Sequence, residues 1–341
     1  MSISPAIDVA GPLASRLPAC QPRLAGPRNE ALDAARLVGA LAIIWIHAAA
    51  NTSNLLGRFA VPFFTCVGIL LVVEKGRRES LVAWPRWALA RARRLYLPFL
   101  AWSAVYLAFK VVKKGLAPEQ ANDFGGWEML VWGGAYHLWF LPFMLMASVA
   151  AFPIASLAGN HWPARVALAG VAGAAAVWIA LLPCPGQWPA DHSARCVWDA
   201  LPSAFVGCCW GLLGRSSRTA GHPSRLGLWL GVALFLFAMT ALAVLGRSIL
   251  LETAAGLGFG MAAIGWPAMK FPPLVVTLGQ LAYGIYCSHL LFIKIGESLA
   301  AKLHLPSTTG LDIALFLAAA ILSSACAWWL ARWRATRWLV A

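Results

Sequence analysis

Charged side chains are scarce in this chain of 341 residues. Asp, Glu, Lys and Arg make up 12% of the sequence, against about 25% in an ordinary soluble domain, whereas 60% of the residues are hydrophobic. So few charges do not cover the surface of a soluble domain of this length, which excludes a water-soluble fold. The apolar residues run in blocks of about 20 without period-two alternation, which is typical of transmembrane helices and not of barrel strands.

Several enzyme signatures are also missing. The sequence has no Gly-rich dinucleotide loop, no Cys-x-x-Cys pair, no His-Glu-x-x-His zinc motif and no repeat of 20 to 50 residues. Dinucleotide and zinc enzymes therefore lose support, and we expect no bound metal. Cys184 and Cys196 flank a predicted outer loop, where a disulfide and two unpaired thiols are both open alternatives.

The apolar runs predict an all-α integral membrane protein, a polytopic bundle of about ten transmembrane helices. The predicted spans are 34–51, 56–73, 95–112, 137–158, 164–182, 198–214, 225–246, 249–267, 273–293 and 310–331. We expect a disordered polar tail over 1–31, a transmembrane domain over 32–334 and a short tail over 335–341. The first helix is expected to be retained and not cleaved as a signal peptide, because His47 lies inside its apolar run.

The net charge of +14 follows the predicted topology. With both termini in the cytoplasm, 18 of the 27 Lys and Arg lie on the inner side and 8 on the outer side, with Arg36 at the start of the first span. The positive-inside rule therefore predicts a multi-pass protein of a bacterial-type inner membrane with both termini cytoplasmic. Because topology explains the basic residues, we expect no nucleic-acid partner.

Polar residues in the first helix are the main functional signal. Arg36 and His47 are eleven residues apart, which places them on one face of a helix about 16 Å apart along its axis. Asn51 continues that face, and Asp33 is placed to cap the helix or to pair with Arg36. Taken singly, Arg36 fits an interface anchor and His47 a packed polar residue, but their alignment favours a functional face.

Further motifs follow in a fixed order along the predicted spans. They are Ala31-Leu32-Asp33-Ala34-Ala35-Arg36 with His47, then Pro62-Phe63-Phe64 leading to Gly68, then Arg91, Arg93 and Arg94 with His137-Leu138-Trp139-Phe140 after them, and last Tyr283 and Tyr286 with His289. In this order the chain resembles the acyltransferase-3 family of integral-membrane acyltransferases, which includes O-acetyltransferases of bacterial surface polysaccharides and lipid-linked glycans. It departs from the family at 65–68, which is Thr-Cys-Val-Gly where members often have Ile-Ser-Gly.

The resemblance implies transfer of an acyl group, usually acetyl, from cytoplasmic coenzyme A to a hydroxyl of a sugar. Acetyl-CoA would be a co-substrate and no cofactor would be bound permanently, while the other partners would be a glycan or lipid-linked sugar and membrane lipids. Arg36, oriented by Asp33, would meet the phosphates of coenzyme A. Arg91, Arg93 and Arg94 would add phosphate contacts or serve only as topology anchors.

Three histidines, His47, His137 and His289, are predicted at similar depth in the outer half of the membrane. Imidazole suits the reaction, because a sugar hydroxyl needs a base with a pKa near neutrality when it attacks a thioester. We expect His47 to act as general base or transient acyl carrier, with His289 as a second catalytic residue. Glu252 would orient a histidine or the acceptor, or be an interfacial carboxylate. The predicted acceptor-binding residues are His137, Trp139, Tyr283, Tyr286 and Asn51.

Two other functions remain alternatives. A permease or glycolipid flippase would use Arg36 and His47 to line a solute or proton path, although the sequence lacks the inverted repeats and paired broken helices of many transporters. A structural scaffold would leave the aligned Asp33, Arg36 and His47 without a role.

Overall fold

Helices make up the fold throughout the described part of the chain. The computed structural model describes residues 29–116, 127–184, 192–214, 225–266 and 269–340, and within them it contains short 3₁₀ turns but no strand. The helices are α1 (Glu30–Ala48), α2 (Ala60–Gly76), α3 (Trp84–Leu116), α4 (Met129–Trp132), α5 (Phe140–Ala158), α6 (Trp162–Leu181), α7 (Ser193–Leu213), α8 (Arg225–Leu245), α9 (Ile249–Gly265), α10 (Pro273–Gln280), α11 (Ala282–Lys302) and α12 (Thr309–Arg332). The predicted all-α polytopic membrane protein is confirmed.

The membrane spans follow the predicted ones closely. Eight described helices are long and apolar enough to cross a membrane, and the bent pair of α10 and α11 adds a ninth. α9, with 17 residues, is a shorter apolar helix at the place of the remaining predicted span. The main difference in length is α3, which begins at Trp84 and not near residue 95. A helix that continues past the bilayer into the polar interface carries basic residues there without cost, so hydropathy marks only its apolar part.

The span predicted over 273–293 is broken. α10 and α11 meet at Leu281 with a bend of 75°. α10 lies against α1 so closely that a Cβ atom at Gly279 would collide with the carbonyl oxygen of Asp33. Glycine at this position therefore permits the close approach, and that contact fixes the first turns of α1 beside the start of α11.

This contact leads to a prediction for stability. Gly279→Ala should destabilise the protein by about 1–3 kcal/mol, because the added methyl group has to displace the backbone of Asp33. Gly173→Ala on α6 is the matched control, since a Cβ atom there meets open space and alanine favours a helix over glycine. Thermal unfolding of the two variants in detergent should show a lower midpoint only for Gly279→Ala. Equal midpoints for both variants would contradict the role given to this contact.

α2 lies at the centre of the bundle, and α8 and α12 lie at its periphery. About two thirds of the apolar window of α2 is buried, against 17% for both α8 and α12. The exposed apolar side chains of α8 and α12 therefore suit contact with lipid, and the polar side chains of interest lie on the helices inside this shell.

The ends and the longest loop are described only in part. Of the predicted polar tail over 1–31, residues 1–28 lie outside the described residues. Asn29 caps α1, because its side chain accepts a hydrogen bond from the amide of Leu32 at 3.0 Å. Cys184 and Cys196, on either side of the undescribed residues 185–191, are both partly exposed, and the choice between a disulfide and two thiols stays a prediction.

Candidate active site

The three histidines predicted at similar depth lie together. His47 comes from the end of α1, His137 from a 3₁₀ turn before α5, and His289 from α11. The ring centroids of His47 and His289 are 5.2 Å apart with nearly parallel planes, and the ring of His137 lies 5.0 Å from that of His289 and 6.2 Å from that of His47. We call these three residues the histidine cluster.

The protonation of His289 follows from its hydrogen bond. Its Nδ1 lies 2.6 Å from the carbonyl oxygen of Tyr286, one turn earlier on α11. Because a carbonyl oxygen only accepts hydrogen bonds, Nδ1 carries the proton, and in a neutral ring Nε2 then carries the lone pair. This Nε2 is buried and has no hydrogen-bond partner among the described residues. His289 thus presents a fixed, unused proton acceptor inside the protein.

His137 is also buried, and neither of its ring nitrogens has a hydrogen-bond partner among the residues that the structure describes. Its backbone carbonyl accepts a hydrogen bond from the hydroxyl of Tyr286. A buried polar atom without a partner costs about 1–3 kcal/mol. Three such nitrogens in one cluster point to a ligand that supplies the missing hydrogen bonds.

His47 is the partly exposed member of the cluster. Its Nδ1 lies 2.5 Å from the hydroxyl of Tyr136, whose ring also packs edge-on against the imidazole. This contact fixes the orientation of the ring and leaves Nε2 as the nitrogen available for chemistry. Because Tyr136 is itself exposed, this side of the cluster is accessible from outside the bundle.

A cavity of about 550 Å³ lies between α1, α2, α3, α5 and α11. None of the three histidines is among its lining residues, and Tyr286 is the lining residue that contacts the cluster. Four basic residues line it at one end, namely Arg36, Lys75, Arg91 and Arg94. Its middle is apolar and aromatic, with Phe63, Phe64 and Phe140. Tyr286 lies at the other end, and its ring contacts those of His137 and His289 at centroid distances of 5.4 and 5.9 Å. The volume is in the range of small-molecule sites.

The basic end of the cavity contains the predicted pair on α1. The guanidinium of Arg36 lies 3.1 Å from the carboxylate of Asp33. Asp33 is buried under α10, whereas about a third of the Arg36 side chain is exposed. The carboxylate therefore holds the guanidinium at the wall of the cavity, where part of the Arg36 side chain is exposed.

A family model described as an acyltransferase domain matches residues 29–332. The chain belongs to the acyltransferase-3 family. No curated protein and no solved structure gave a match. The matched residues run from the cap of α1 to the last residue of α12, so they include both the histidine cluster and the cavity. The protein is accordingly a membrane acyltransferase, with an acyl donor and an acceptor as its substrates.

The three arginines at the start of α3 differ in position in this acyltransferase. Arg91 is partly buried in the cavity wall and donates a hydrogen bond to the hydroxyl of Ser148 at 3.3 Å. Arg94, one turn further on, also lines the cavity. Arg93 is exposed and is not among the lining residues. Of the three arginines predicted to bind phosphate, the helical period thus places Arg91 and Arg94 on the cavity and Arg93 away from it.

Glu252 of the acyltransferase lies in a network of ions and not beside the imidazoles. Its carboxylate is 3.4 Å from Arg58 and 3.3 Å from Arg247, and Arg247 also pairs with Asp199 at 2.6 Å. These contacts link α9 to the starts of α2 and α7. The predicted role of Glu252 in orienting a histidine stays a prediction, and its described partners favour a structural one.

Two of the predicted acceptor residues have well-defined partners elsewhere. Asn51 donates from its backbone and its amide to Asp312 of α12, at 2.7 and 3.2 Å. Trp139 is buried against Phe140 and Phe143. Both sets of contacts fit roles in packing, and acceptor binding by these residues stays a prediction.

The two predicted tyrosines on α11 lie on the cavity described above. Tyr283 and Tyr286 both line it, and the hydroxyl of Tyr283 lies 3.5 Å from the carbonyl of Leu95. Tyr286 also contacts the histidine cluster, as described above, so of the two it is the one that borders both regions.

Three residues near the cluster had no predicted role. Tyr106 and Tyr136 contact histidine rings, and Asp312 is a buried carboxylate that holds the loop after His47. A usable signal was the rarity of tyrosine, since three of only five tyrosines surround the histidines. Within the described residues, no group of three His, Cys, Asp or Glu side chains is arranged to hold a metal ion.

Proposed function

We propose that this acyltransferase moves a short acyl group, acetyl in the first instance, from acyl-coenzyme A to a hydroxyl of a glycan or lipid-linked sugar. The observation that carries the proposal is the cavity from the basic residues to Tyr286, beside a histidine cluster in which His137 and His289 have buried ring nitrogens without a hydrogen-bond partner among the described residues. Neither part alone suffices, because a basic groove also suits a lipid headgroup and a polar cluster also suits a transport path.

The basic end of the cavity fits the donor. Guanidinium groups bind phosphate oxygens in a bidentate geometry, and Arg36 and Arg91 both line this cavity. The apolar and aromatic middle of the cavity suits the pantetheine arm. The extended arm is comparable in length with the separation of about 16 Å between Arg36 and His47 along α1. A donor with its phosphates on the arginines would therefore bring its thioester to the histidines.

The cluster fits the transfer step. Imidazole Nε2 of His47 removes the proton from the acceptor hydroxyl as its oxygen attacks the thioester carbon. The carbon–sulfur bond then breaks, and the thiolate of coenzyme A takes the proton from the imidazolium as it leaves. A ring N–H of His137 would stabilise the transient oxyanion. Nε2 of His289, which carries a lone pair, would be a second proton acceptor. We favour this direct transfer over an acyl-histidine intermediate.

The distribution of basic residues supports an orientation. The positive-inside rule assigns the basic end of the cavity to the cytoplasm, with both termini on that side of an inner membrane. The exposed Tyr136 and the partly exposed His47 then lie at the outer end. The donor would enter from the cytoplasm and the acceptor from the opposite side, with no cofactor bound permanently.

The purified protein in lipid vesicles tests this function directly. Vesicles given acetyl-CoA with a labelled acetyl group should incorporate label into added glycans or lipid-linked sugars, and mass spectrometry should find the acetyl increment. Surface glycans of cells with and without the protein should differ by the same increment. Flux of a glycolipid across the vesicle membrane without any acyl transfer would instead support a flippase.

A further inference from the structure

Tyr106 of α3 bonds the backbone of α11 on both sides of His289. Its hydroxyl donates to the carbonyl of Cys287 at 2.9 Å and accepts from the amide of Leu291 at 3.1 Å. In a regular α-helix these two groups bond each other, since they are four residues apart. The hydroxyl therefore takes part in one turn of the α11 hydrogen-bond ladder, with His289 at the middle of that turn.

The ring of Tyr106 contacts the other buried histidine. It packs edge-on against His137, with centroids 5.3 Å apart, and the side chain is 3% exposed. One turn earlier on α3, the indole of Trp102 donates to the carbonyl of Leu339 at 3.2 Å, which holds α3 in place. A single rigid side chain thus contacts the ring of His137 and the backbone on both sides of His289.

The geometry of this turn of α11 determines which ring nitrogen of His289 carries the proton. Its Nδ1–H donates to the carbonyl of Tyr286, only three residues earlier. Such a bond depends on the local position of that carbonyl, and the adjacent carbonyl in the chain, that of Cys287, is the one held by Tyr106. Loss of the hydroxyl would release this carbonyl and change the geometry that keeps the lone pair on Nε2.

We propose that Tyr106 is a positioning residue of the active site, which sets the tautomer of His289 and the packing of His137 without touching either substrate. The inference rests on the proposed function only for the statement that these histidines serve acyl transfer. The structural part stands by itself, because it concerns one hydroxyl and one turn of helix.

The structural part is tested by nitrogen NMR of protein labelled with ¹⁵N-histidine in lipid nanodiscs. The chain has seven histidines, and the signals that disappear in His289→Ala belong to His289. In the unsubstituted protein these signals should show a protonated Nδ1 and an unprotonated Nε2. Tyr106→Phe should give a mixture of both tautomers. A different tautomer in the unsubstituted protein, or an unchanged spectrum in Tyr106→Phe, would overturn the proposal.

The catalytic part is tested by steady-state kinetics. Tyr106→Phe keeps the ring on His137 and should lower kcat roughly ten- to thirtyfold, with KM for donor and acceptor within about twofold, because the hydroxyl meets neither substrate. Tyr96→Phe is the matched control: it lies on the same helix and likewise loses one hydroxyl bond to a carbonyl, that of Leu130 at 2.8 Å. Its kcat should stay within about twofold.

The outcomes separate the two proposals. An equal fall in kcat for both variants, or a rise in KM with unchanged kcat for Tyr106→Phe, would contradict positioning by Tyr106. Absence of acyl transfer by the unsubstituted protein would contradict the proposed function and leave the NMR result to decide the role of Tyr106.

Discussion

His47→Ala is expected to lower the rate of acyl transfer by about a thousandfold or more. A general base contributes roughly 10²–10⁴ in rate, and the substitution also removes the ring that stacks on His289. KM for the donor should change little, because the basic end of the cavity is about three helical turns away. The measurement is the initial rate of label transfer from acetyl-CoA in vesicles, at equal amounts of inserted protein.

His161→Ala is the control for the loss of an imidazole. His161 is exposed at the start of α6, and its side chain does not cap that helix, so this variant should transfer acyl groups at the normal rate. Thermal unfolding of His47→Ala establishes that the protein is folded. A folded His47→Ala protein with full activity would remove His47 from the chemistry and leave His289 as the candidate base.

Properties that depend on one helix alone were predictable. The eleven-residue spacing of Arg36 and His47 defines one face of α1 whatever surrounds it, and Asp33 pairs with Arg36 within a single turn. The apolar spans were also predictable, because transfer into lipid depends on the residues of each segment and little on their partners.

Properties that depend on contacts between distant segments were not predictable from the sequence. The bend at Leu281 accompanies the close approach of α10 to α1, and the partners of Glu252 come from the turn before α2 and from the loop before α9. Tyr106 acts on a segment more than 180 residues away along the chain. Hydropathy carries no information on such pairs, and a single tyrosine in an apolar run fits simple packing equally well.

The arginines of α3 are an intermediate case. Arg91 and Arg94 are three residues apart and share one face, whereas Arg93 points about 200° away from Arg91 around the helix. The prediction from sequence treated all three alike because of their charge. The helical period separates the two that line the cavity from the one that does not.

A second large effect is expected on donor binding when arginines that line the cavity are replaced. The double variant Arg36→Gln, Arg91→Gln should raise KM for acetyl-CoA by about a hundredfold or more. A hydrogen bond to a charged group contributes about 1.5–3 kcal/mol, and two such groups line the mouth of the cavity. Because the histidine cluster is unchanged, kcat at saturating donor should stay within about threefold.

Arg93→Gln is the matched control, since it removes the same charge from the same helix without changing the cavity wall. Its KM should stay within about twofold of normal, apart from the small effect of net charge near the membrane. Added salt should raise KM of the unsubstituted protein more than that of the double variant, because fewer charges remain there to be screened. If Arg93→Gln and the double variant raised KM equally, the arginines would act only through the general potential of the basic face, and the donor site would have to be sought outside this cavity.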